Sequence, residues 1–366
     1  MPLNRRMALL GSGGTLLAGS GAAAISFLRM GSSDGYAATV AASCAALGAD
    51  PDLKELVRFA TLAANGHNTQ PWRFRLSQGR IDILPDFTRR TPVVDPDDHH
   101  LYASLGCAAE NLALAGAASG RRGTPRFDDS GDGSIAFEFG PGPSQPSTLS
   151  HAIPRRQSTR MDYDGRAVGA EDLRALATAA AVPGVDVVLL TDRPRLDRMR
   201  DLIVAGNDAQ MADAAFLREL KDWIRFNPRD ALARGDGLYG PCSGNPALPA
   251  WLGPFMFDLA FKAKAEREKI ARQVQSSAGV AVFVAAVSDR DHWVRAGRAC
   301  QRFALQATAL GLKLAFLNQP TEVPRLRPEL AALVGLPGRR PNIVMRFGYG
   351  PTMPMSPRRP IDAVLI

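Results

Sequence analysis

The most distinctive polar run in the sequence is GHNTQPWRF, residues 66–74. It follows LKELVRFATLAAN, whose apolar residues recur at the three- and four-residue spacing of a buried helix face. An Asn-Gly pair then favours the end of that helix, and Trp72 begins an alternating pattern that predicts a strand. His67, Asn68 and Gln70 are therefore expected at a helix-to-strand junction, where an imidazole and two amides could bind a polar ligand.

A second polar cluster lies in PRRQSTRMDYDGRAV, residues 154–168. Three arginines and two hydroxyl side chains fall within six positions, just before a helix predicted near GAEDLRAL. Guanidinium groups match the oxygens of a phosphate, and a helix N-terminus adds partial positive charge, so the cluster favours a phosphate site. Taken alone, the same motif could be a solvated basic turn. The residues concerned are Arg155, Arg156, Ser158, Thr159 and Arg160.

The length and amino-acid composition of the chain exclude some classes of protein. The chain of 366 residues can bury a full core, and its length suits two to three units of domain size. A net charge of +8, from arginines scattered along the chain, favours anionic ligands and gives no basic stripe for nucleic acid. Adjacent His99 and His100 suggest a polar first turn of a helix rather than a metal site. No CxxC or zinc-ligand spacing occurs among Cys44, Cys107, Cys242 and Cys300.

The N-terminal residues 1–35 form a separate segment. Arg5 and Arg6 precede an uncharged, glycine-rich and moderately apolar stretch from Met7 to Leu28, which resembles a twin-arginine export signal. The protein is therefore expected in the periplasm or cell envelope. A retained membrane anchor and a disordered leader of a cytoplasmic protein are the alternatives.

Two helices of the chain repeat each other. GCAAENLALAGAASG, residues 106–120, aligns without a gap on GRACQRFALQATALG, residues 297–311. Both segments are rich in small residues and end in glycine, which indicates equivalent places in two related halves. Chance similarity of two alanine-rich helices is the alternative.

The strand patterns indicate the fold class. WRFRL and RIDILPD predict a hairpin, VAVFVAAVSD predicts a central strand covered on both faces, and PNIVMRFGYG predicts a further strand. Strands and helices alternate along the chain. We therefore expect an α+β fold of mostly antiparallel sheets covered by helices.

Three motifs together resemble the nitroreductase-fold family of FMN oxidoreductases: GHNTQPWRF, RRQSTRMDYDGRAV and MRFGYGPTMPMSPRRP. The chain is more specifically similar to the mycobacterial Acg-like branch, in which two nitroreductase units are fused. The resemblance begins near Leu53 and weakens over residues 121–148 and 207–270. It implies an intramolecular pseudo-dimer, with one half at residues 45–150 and the other at residues 151–366.

The resemblance also implies a site between the halves. Family members bind FMN between two units, so the first half would present His67, Asn68 and Gln70 to the flavin. Gln319, in AFLNQP, would lie beside the flavin ring. Each half has only one of the two parts, which implies one FMN per chain and a monomer. The flavin phosphate would be held by Arg155, Arg156, Ser158, Arg160, Arg358 and Arg359.

The implied activity is hydride transfer from NAD(P)H through FMN to a small acceptor, such as a nitroaromatic or a quinone. The flavin would carry the chemistry, so no catalytic side chain is required. Residues 207–270 could form a lid, with an amphipathic helix FLRELKDWIRFNPRD ending at Pro228 and a later helix FDLAFKAKAEREKIARQVQ. A lid that stays closed would give a flavin-sequestering protein without turnover. A helical hairpin that only packs on the sheet, and a relative that has lost its cofactor, are further alternatives.

Overall fold

The computed structural model of the protein describes residues 26–366. Arg5 and Arg6 of the predicted leader lie outside the described residues. The helices are Ser33–Ser43 (α1), Leu53–Thr61 (α2), His99–Ala118 (α3), Thr148–Ala152 (α4), Ala170–Ala179 (α5), Arg193–Met211 (α6), Ala214–Asp222 (α7), Pro228–Arg234 (α8), Gly253–Ala260 (α9), Ala263–Gln275 (α10), Arg290–Ala309 (α11), Gln319–Glu322 (α12) and Arg327–Leu333 (α13). The strands are Trp72–Ser77 (β1), Arg80–Pro85 (β2), Arg121–Arg122 (β3), Arg126–Asp128 (β4), Ser134–Glu138 (β5), Gly140–Pro141 (β6), Val185–Leu190 (β7), Ile224–Arg225 (β8), Leu238–Tyr239 (β9), Gly279–Ala285 (β10), Lys313–Phe316 (β11) and Pro341–Gly348 (β12).

The first sheet has the order β1-β2-β5-β4, with every pair antiparallel. The predicted hairpin is confirmed: β1 pairs with β2 from Trp72 opposite Pro85 to Ser77 opposite Arg80, and Gly79 takes a positive φ of 67° in the turn. Alternate residues of the strands, including Ile81, point into a core that they share with α2 and α3. One face of this sheet is therefore apolar, as the alternation predicts.

The second sheet has the order β11-β12-β10-β7 and is also antiparallel. Every residue of β10 and β12 is buried. Phe283 packs toward α11 on one face, whereas Val282 packs toward α6 and α10 on the other. The continuous apolar run of β10 thus reflects a strand covered on both sides, as predicted.

The two sheets share one topology. If the four strands of each sheet are numbered in chain order, their order across the sheet is 1-2-4-3. In both sheets, a 20-residue helix joins the second of these strands to the third. The chain thus has the expected α+β fold of antiparallel sheets covered by helices. The shared order supports the interpretation of two related halves, whose boundaries at residues 45–150 and 151–366 stay predictions.

The repeated helices α3 and α11 cross at two glycines. A Cβ atom on Gly106 would lie 2.0 Å from the Val294 carbonyl oxygen, and one on Gly297 would lie 1.9 Å from the Ala103 carbonyl oxygen. The two contacts are equivalent under the 191-residue offset of the repeat. Gly297 corresponds to Gly106, and Val294 corresponds to Ala103. The backbones meet closely because neither glycine has a side chain, and the contact is reciprocal.

Two segments connect the halves. The C-terminal arm, residues 349–366, returns to the first half, where Phe74 N–H donates to the Val364 carbonyl at 2.8 Å and Ile366 N–H donates to the Phe74 carbonyl at 3.0 Å. The insertion, residues 207–270, contains α7, β8, β9 and most of α10. Among residues 26–366, no helix has both the length and the hydrophobicity of a membrane span.

The insertion differs from the predicted pair of long helices. The first helix ends at Asp222, and Pro228 begins a separate helix whose N-cap is Asn227. The second predicted helix is two helices, separated at Phe261 and Lys262. Proline at a first helical position has no N–H to lose, so the chain uses Pro228 as a start rather than a stop.

Candidate functional site

The loop after α2, residues 66–70, has an unusual backbone. His67, Asn68 and Gln70 adopt positive φ values of 48°, 55° and 53°. Non-glycine residues rarely occupy this region, and each costs free energy that the surrounding structure must offset. Three within four positions mark a strained segment of the kind that gathers at ligand sites.

The side chains of Asn68 and Gln70 are held by distant parts of the chain. Asn68 Nδ2 donates to the carbonyls of Gly237 and Pro357 at 3.1 Å each, and Asn68 Oδ1 accepts from Arg358 Nη1 at 2.8 Å. Gln70 Nε2 donates to the Gly235 carbonyl at 2.8 Å. The two amides therefore join the loop to the insertion and the C-terminal arm, and their hydrogen-bonding capacity is largely used within the protein.

Beside the loop lies a cavity that we call the arginine cavity. Arg156 is 5% exposed, and its Nε and Nη1 have no hydrogen-bond partner. Its Nη2 makes only a 3.5 Å contact with the Leu62 carbonyl. A buried guanidinium with unused donors is unfavourable unless an anion completes it. The lining comprises Cys44, Leu62, Ala63, Ala64, Asn65, Asn68, Ile153, Arg156, Gln157, Ser158, Arg160, Leu238, Pro354, Met355, Ser356 and Arg358.

Two further cations face the same space. Arg358 donates from Nε to the Thr61 carbonyl at 2.7 Å, so it caps the C-terminal end of α2. Burial, with Arg156 nearby, lowers the pKa of Arg358 to about 10. Burial also lowers the pKa of Arg156 and of Arg160. Among the described residues, no carboxylate lines this cavity, so an anion is the missing counter-charge.

A larger cavity, which we call the chamber, adjoins the first and has a volume of about 310 Å³. The two share Ala64, Asn65, Arg160 and Leu238. Three buried polar atoms on the chamber wall lack partners: His67 Nδ1, Asn207 Nδ2 and Gln319 Oε1. Burial, followed by Arg160 and His100, lowers the pKa of His67 to about 4. The chamber thus offers an uncharged imidazole and two free amide groups to a ligand.

Residues 153–349 match the family model described as the nitroreductase family. The match covers more than half of the chain. The chain belongs to the nitroreductase family. It is therefore an oxidoreductase-type enzyme, and the matched residues include Arg156 and Arg160 of the arginine cavity, whereas Arg358 lies beyond the match.

Two proteins of Mycobacterium tuberculosis H37Rv that carry names of NAD(P)H nitroreductases resemble this nitroreductase. Rv3131 is 29% identical over 335 residues, which cover 86% of this chain and 92% of that protein. The protein acg is 26% identical over 326 residues, which cover 85% of this chain and 94% of that protein. The Acg-like resemblance of the sequence motifs is thereby confirmed.

Two solved structures are also similar to part of this nitroreductase. A nitroreductase with bound FMN from Bacteroides fragilis has a TM-score of 0.36 and 16% identity, and covers 56% of this chain and 90% of its own. The FMN-dependent nitroreductase NfnB from Mycobacterium smegmatis, in complex with NADPH, has a TM-score of 0.36 and 14% identity, and covers 56% and 87%.

The structure brings together most of the predicted site residues. Asn68, Arg156, Ser158, Arg160 and Arg358 line the arginine cavity, whereas His67 and Gln319 line the chamber together with Arg160. His67 and Asn68 come from the predicted first half, whereas the other five residues come from the predicted second half.

Three predicted residues lie outside both cavities. Arg155 is exposed, and its Nε donates to the His151 carbonyl at 3.2 Å. Gln70 is fully buried and accepts from the Arg359 backbone N–H at 2.9 Å. The Arg359 side chain donates from Nη2 to the Ala363 carbonyl at 2.7 Å. Gln70 and Arg359 therefore secure the loop against the C-terminal arm, and Arg155 faces water.

Sequence reasoning missed residues that order the arginine segment. Arg346 is fully buried and donates from Nη2 to the carbonyls of Thr159 and Met161, at 3.0 and 2.7 Å. Gln157 exchanges two hydrogen bonds of 2.8 Å with the Met353 backbone. An arginine within the apolar strand β12 was the available signal, because a buried arginine needs several acceptors.

Proposed function

We propose that the protein is an FMN-dependent oxidoreductase that passes electrons from NAD(P)H to a small acceptor of the nitroaromatic or quinone class. The observation that carries this proposal is the arginine cavity. Among the described residues, one buried and two partly buried guanidinium groups line it without a carboxylate, and it adjoins a chamber with free polar atoms. The names of the mycobacterial relatives Rv3131 and acg, both NAD(P)H nitroreductases, agree with it.

The residues present fit the parts of FMN. Arg156, Arg160 and Arg358 would hold the phosphate, since guanidinium forks pair well with phosphate oxygens. His67, Asn207 and Gln319 would meet the polar edge of the ring, because their free atoms lie on the wall of the adjoining chamber. When bound, the flavin would accept a hydride from NAD(P)H and pass it to the acceptor. The protein itself would position the ring and exclude water.

The direct test is the absorption spectrum of the purified protein before and after anaerobic addition of NADPH. A flavin spectrum that bleaches supports the proposal, whereas a protein that neither carries nor takes up FMN contradicts it. Titration of apoprotein should end near one FMN per chain. An endpoint near two would contradict the expectation that each half supplies only one part of the site.

A second candidate is a protein that binds FMN without NAD(P)H turnover. The insertion covers the chamber, and Glu219 of α7 accepts from the backbone N–H groups of Val93 and Val94 at 2.8 and 3.0 Å. These contacts hold α7 against residues 93–94, and Phe216 and Leu220 of the same helix line the chamber that nicotinamide would have to enter. A flavin that dithionite bleaches and NADPH does not would support this candidate.

A variant pair tests whether α7 limits access. Glu219→Ala removes both contacts to the first half, so it should speed bleaching by NADPH if closure is limiting. Arg218→Ala, an exposed neighbour on the same helix, is the control and should leave the rate unchanged. Equal rates for wild type and Glu219→Ala would mean that α7 is not the barrier.

Export and a monomeric state are also proposed. A flavoprotein that acquires FMN before export must cross the membrane folded, as twin-arginine substrates do, so changing Arg5 and Arg6 together to lysine should retain the protein in the cytoplasm. Unchanged fractionation would exclude such a signal.

The reciprocal crossing of α3 and α11 within one chain supports a monomer, which sedimentation can test.

A further inference from the structure

A buried acid–imidazole pair lies on the chamber wall. His100 Nε2 at the start of α3 is 3.7 Å from Glu322 Oε1 at the end of α12, and their side chains are 13% and 16% exposed. Gln210 of α6 donates to the other Glu322 oxygen at 2.6 Å. All three residues line the chamber. The pair therefore joins elements from both halves and faces the space where a substrate would lie.

The surroundings fix the pair without neutralising it. Both Asp95 carboxylate oxygens accept backbone N–H groups, of His100 and Leu101, at 3.0 Å, which sets the start of α3. Among the described residues, Glu322 has no ion pair with an arginine or lysine. The other charged or titratable groups that act on the pair are His67, Asp95, Asp97, His99, Glu219, Arg327 and Arg340.

Burial favours the uncharged form of each member. It raises the pKa of Glu322 and lowers the pKa of His100. The pair holds one ionisable proton. This proton lies either on the carboxyl, beside a neutral imidazole, or on the imidazolium, beside a carboxylate. The pair thus stores one transferable proton on the chamber wall.

We propose that the His100–Glu322 pair is the proton donor to an electron acceptor that is reduced by hydride, such as a quinone. This inference rests on the proposed function, which supplies the reductant. A quinone that gains a hydride must also gain one proton to become a hydroquinone. The pair gives up that proton, forms the carboxylate with a neutral imidazole, and regains a proton from water.

The part of the lining that the insertion supplies suits such an acceptor. Phe216, Leu220 and Phe261, from the insertion, present apolar surface to the chamber. A flat ring would pack against these side chains while its oxygens point toward the acid–imidazole pair. The chamber thereby separates an apolar contact surface from a proton-donating one.

The test measures reoxidation of protein whose flavin has been reduced with dithionite, so NAD(P)H plays no part. A soluble benzoquinone is compared with ferricyanide, which takes up electrons without protons. Glu322→Gln and His100→Asn should each slow reoxidation by the quinone by about a hundredfold, the lower range of general-acid catalysis. Both should leave reoxidation by ferricyanide unchanged. The quinone rate of wild type should also fall with rising pH, and that of Glu322→Gln should not.

Glu329→Gln is the matched control. Glu329 is an exposed carboxylate on α13 that does not line the chamber, so the proposal assigns it no proton. It should match wild type with both acceptors. Equal slowing with both acceptors, or no slowing with the quinone, would overturn the inference. Thermal unfolding checks that the variants are folded. Absence of bound flavin would instead refute the proposed function, and the proton role with it.

Discussion

Replacing Arg156 with methionine should have opposite effects on the empty and the FMN-bound protein. Methionine keeps an apolar chain but removes a guanidinium whose Nε and Nη1 have no partner. In the empty protein, that group is buried and lies near the charge of Arg358. An unsatisfied buried donor costs about 1–3 kcal/mol, so Arg156→Met should stabilise the apoprotein by an amount of that order.

Binding of FMN should weaken in the same variant. Charge-assisted hydrogen bonds contribute about 1.5–3 kcal/mol, so the Kd should rise about ten- to a hundredfold. Titration of flavin fluorescence gives the Kd, and urea unfolding without FMN gives the stability. Arg155→Met is the matched control, because Arg155 is the exposed neighbour that donates only to the His151 carbonyl. It should change neither quantity.

Two results would refute the reasoning. If Arg156→Met binds FMN as tightly as wild type, the phosphate lies elsewhere and the arginine cavity has another purpose. If the variant apoprotein is less stable than wild type, Arg156 is a structural cation. Its unpaired nitrogens would then be no sign of a missing anion.

Three further predictions concern stability. Asn68→Ala should destabilise even the apoprotein by about 1–3 kcal/mol in urea unfolding, because it removes three hydrogen bonds between segments. Gly106→Ala should lower the Tm by disturbing the crossing of α3 and α11, at a cost of about 1–3 kcal/mol, whereas Gly48→Ala, with no atom within 4 Å, should not. The depressed pKa of His67, about 4 against 6.5 unfolded, means that the unfolded chain binds more protons between these values, so stability should fall as pH drops from about 6.5 to 4. His67→Asn should reduce that loss, as measured by unfolding at pH 7 and pH 5.

The fold was predictable where one strong pattern covers a whole element. The alternation from Trp72 determines both the strand and its apolar face, and the short, β-branched apolar run of β10 favours a strand covered on both sides. The glycines of the repeated helices could be aligned, but their close approach required the structure. The contact of Gly106 with another backbone depends on the position of the opposing helix, which the local sequence does not determine.

The insertion was less predictable because its helices depend on tertiary contacts. The amphipathic pattern continues past Asp222, yet the chain leaves the helix there and forms β8, which pairs in parallel with β9. The break at Phe261 has no glycine or proline to signal it. The helix propensity of the local sequence has a smaller effect than such tertiary contacts.

For the site, the residue types were predictable but their partners were not. Asn68 and Gln70 were expected to contact the ligand, yet most of their partners are groups of residues 235–237 and 357–359. Sequence gives no sign of which distant carbonyl accepts a given amide. Similarly, only burial distinguishes Arg156 from adjacent Arg155.

The arginine cavity depends on the C-terminal end of α2. The carbonyls of Thr61, Leu62 and Ala63 accept from Arg358 at 2.7, 3.2 and 3.3 Å, and Leu62 also contacts Arg156. These carbonyls carry the partial negative charge of a helix end, which helps to hold two cations close together. The helix lies in the predicted first half, whereas both arginines lie in the predicted second half. Neither half alone could assemble this arrangement, since the second would lack the acceptors that position its arginines and the first would lack the charge.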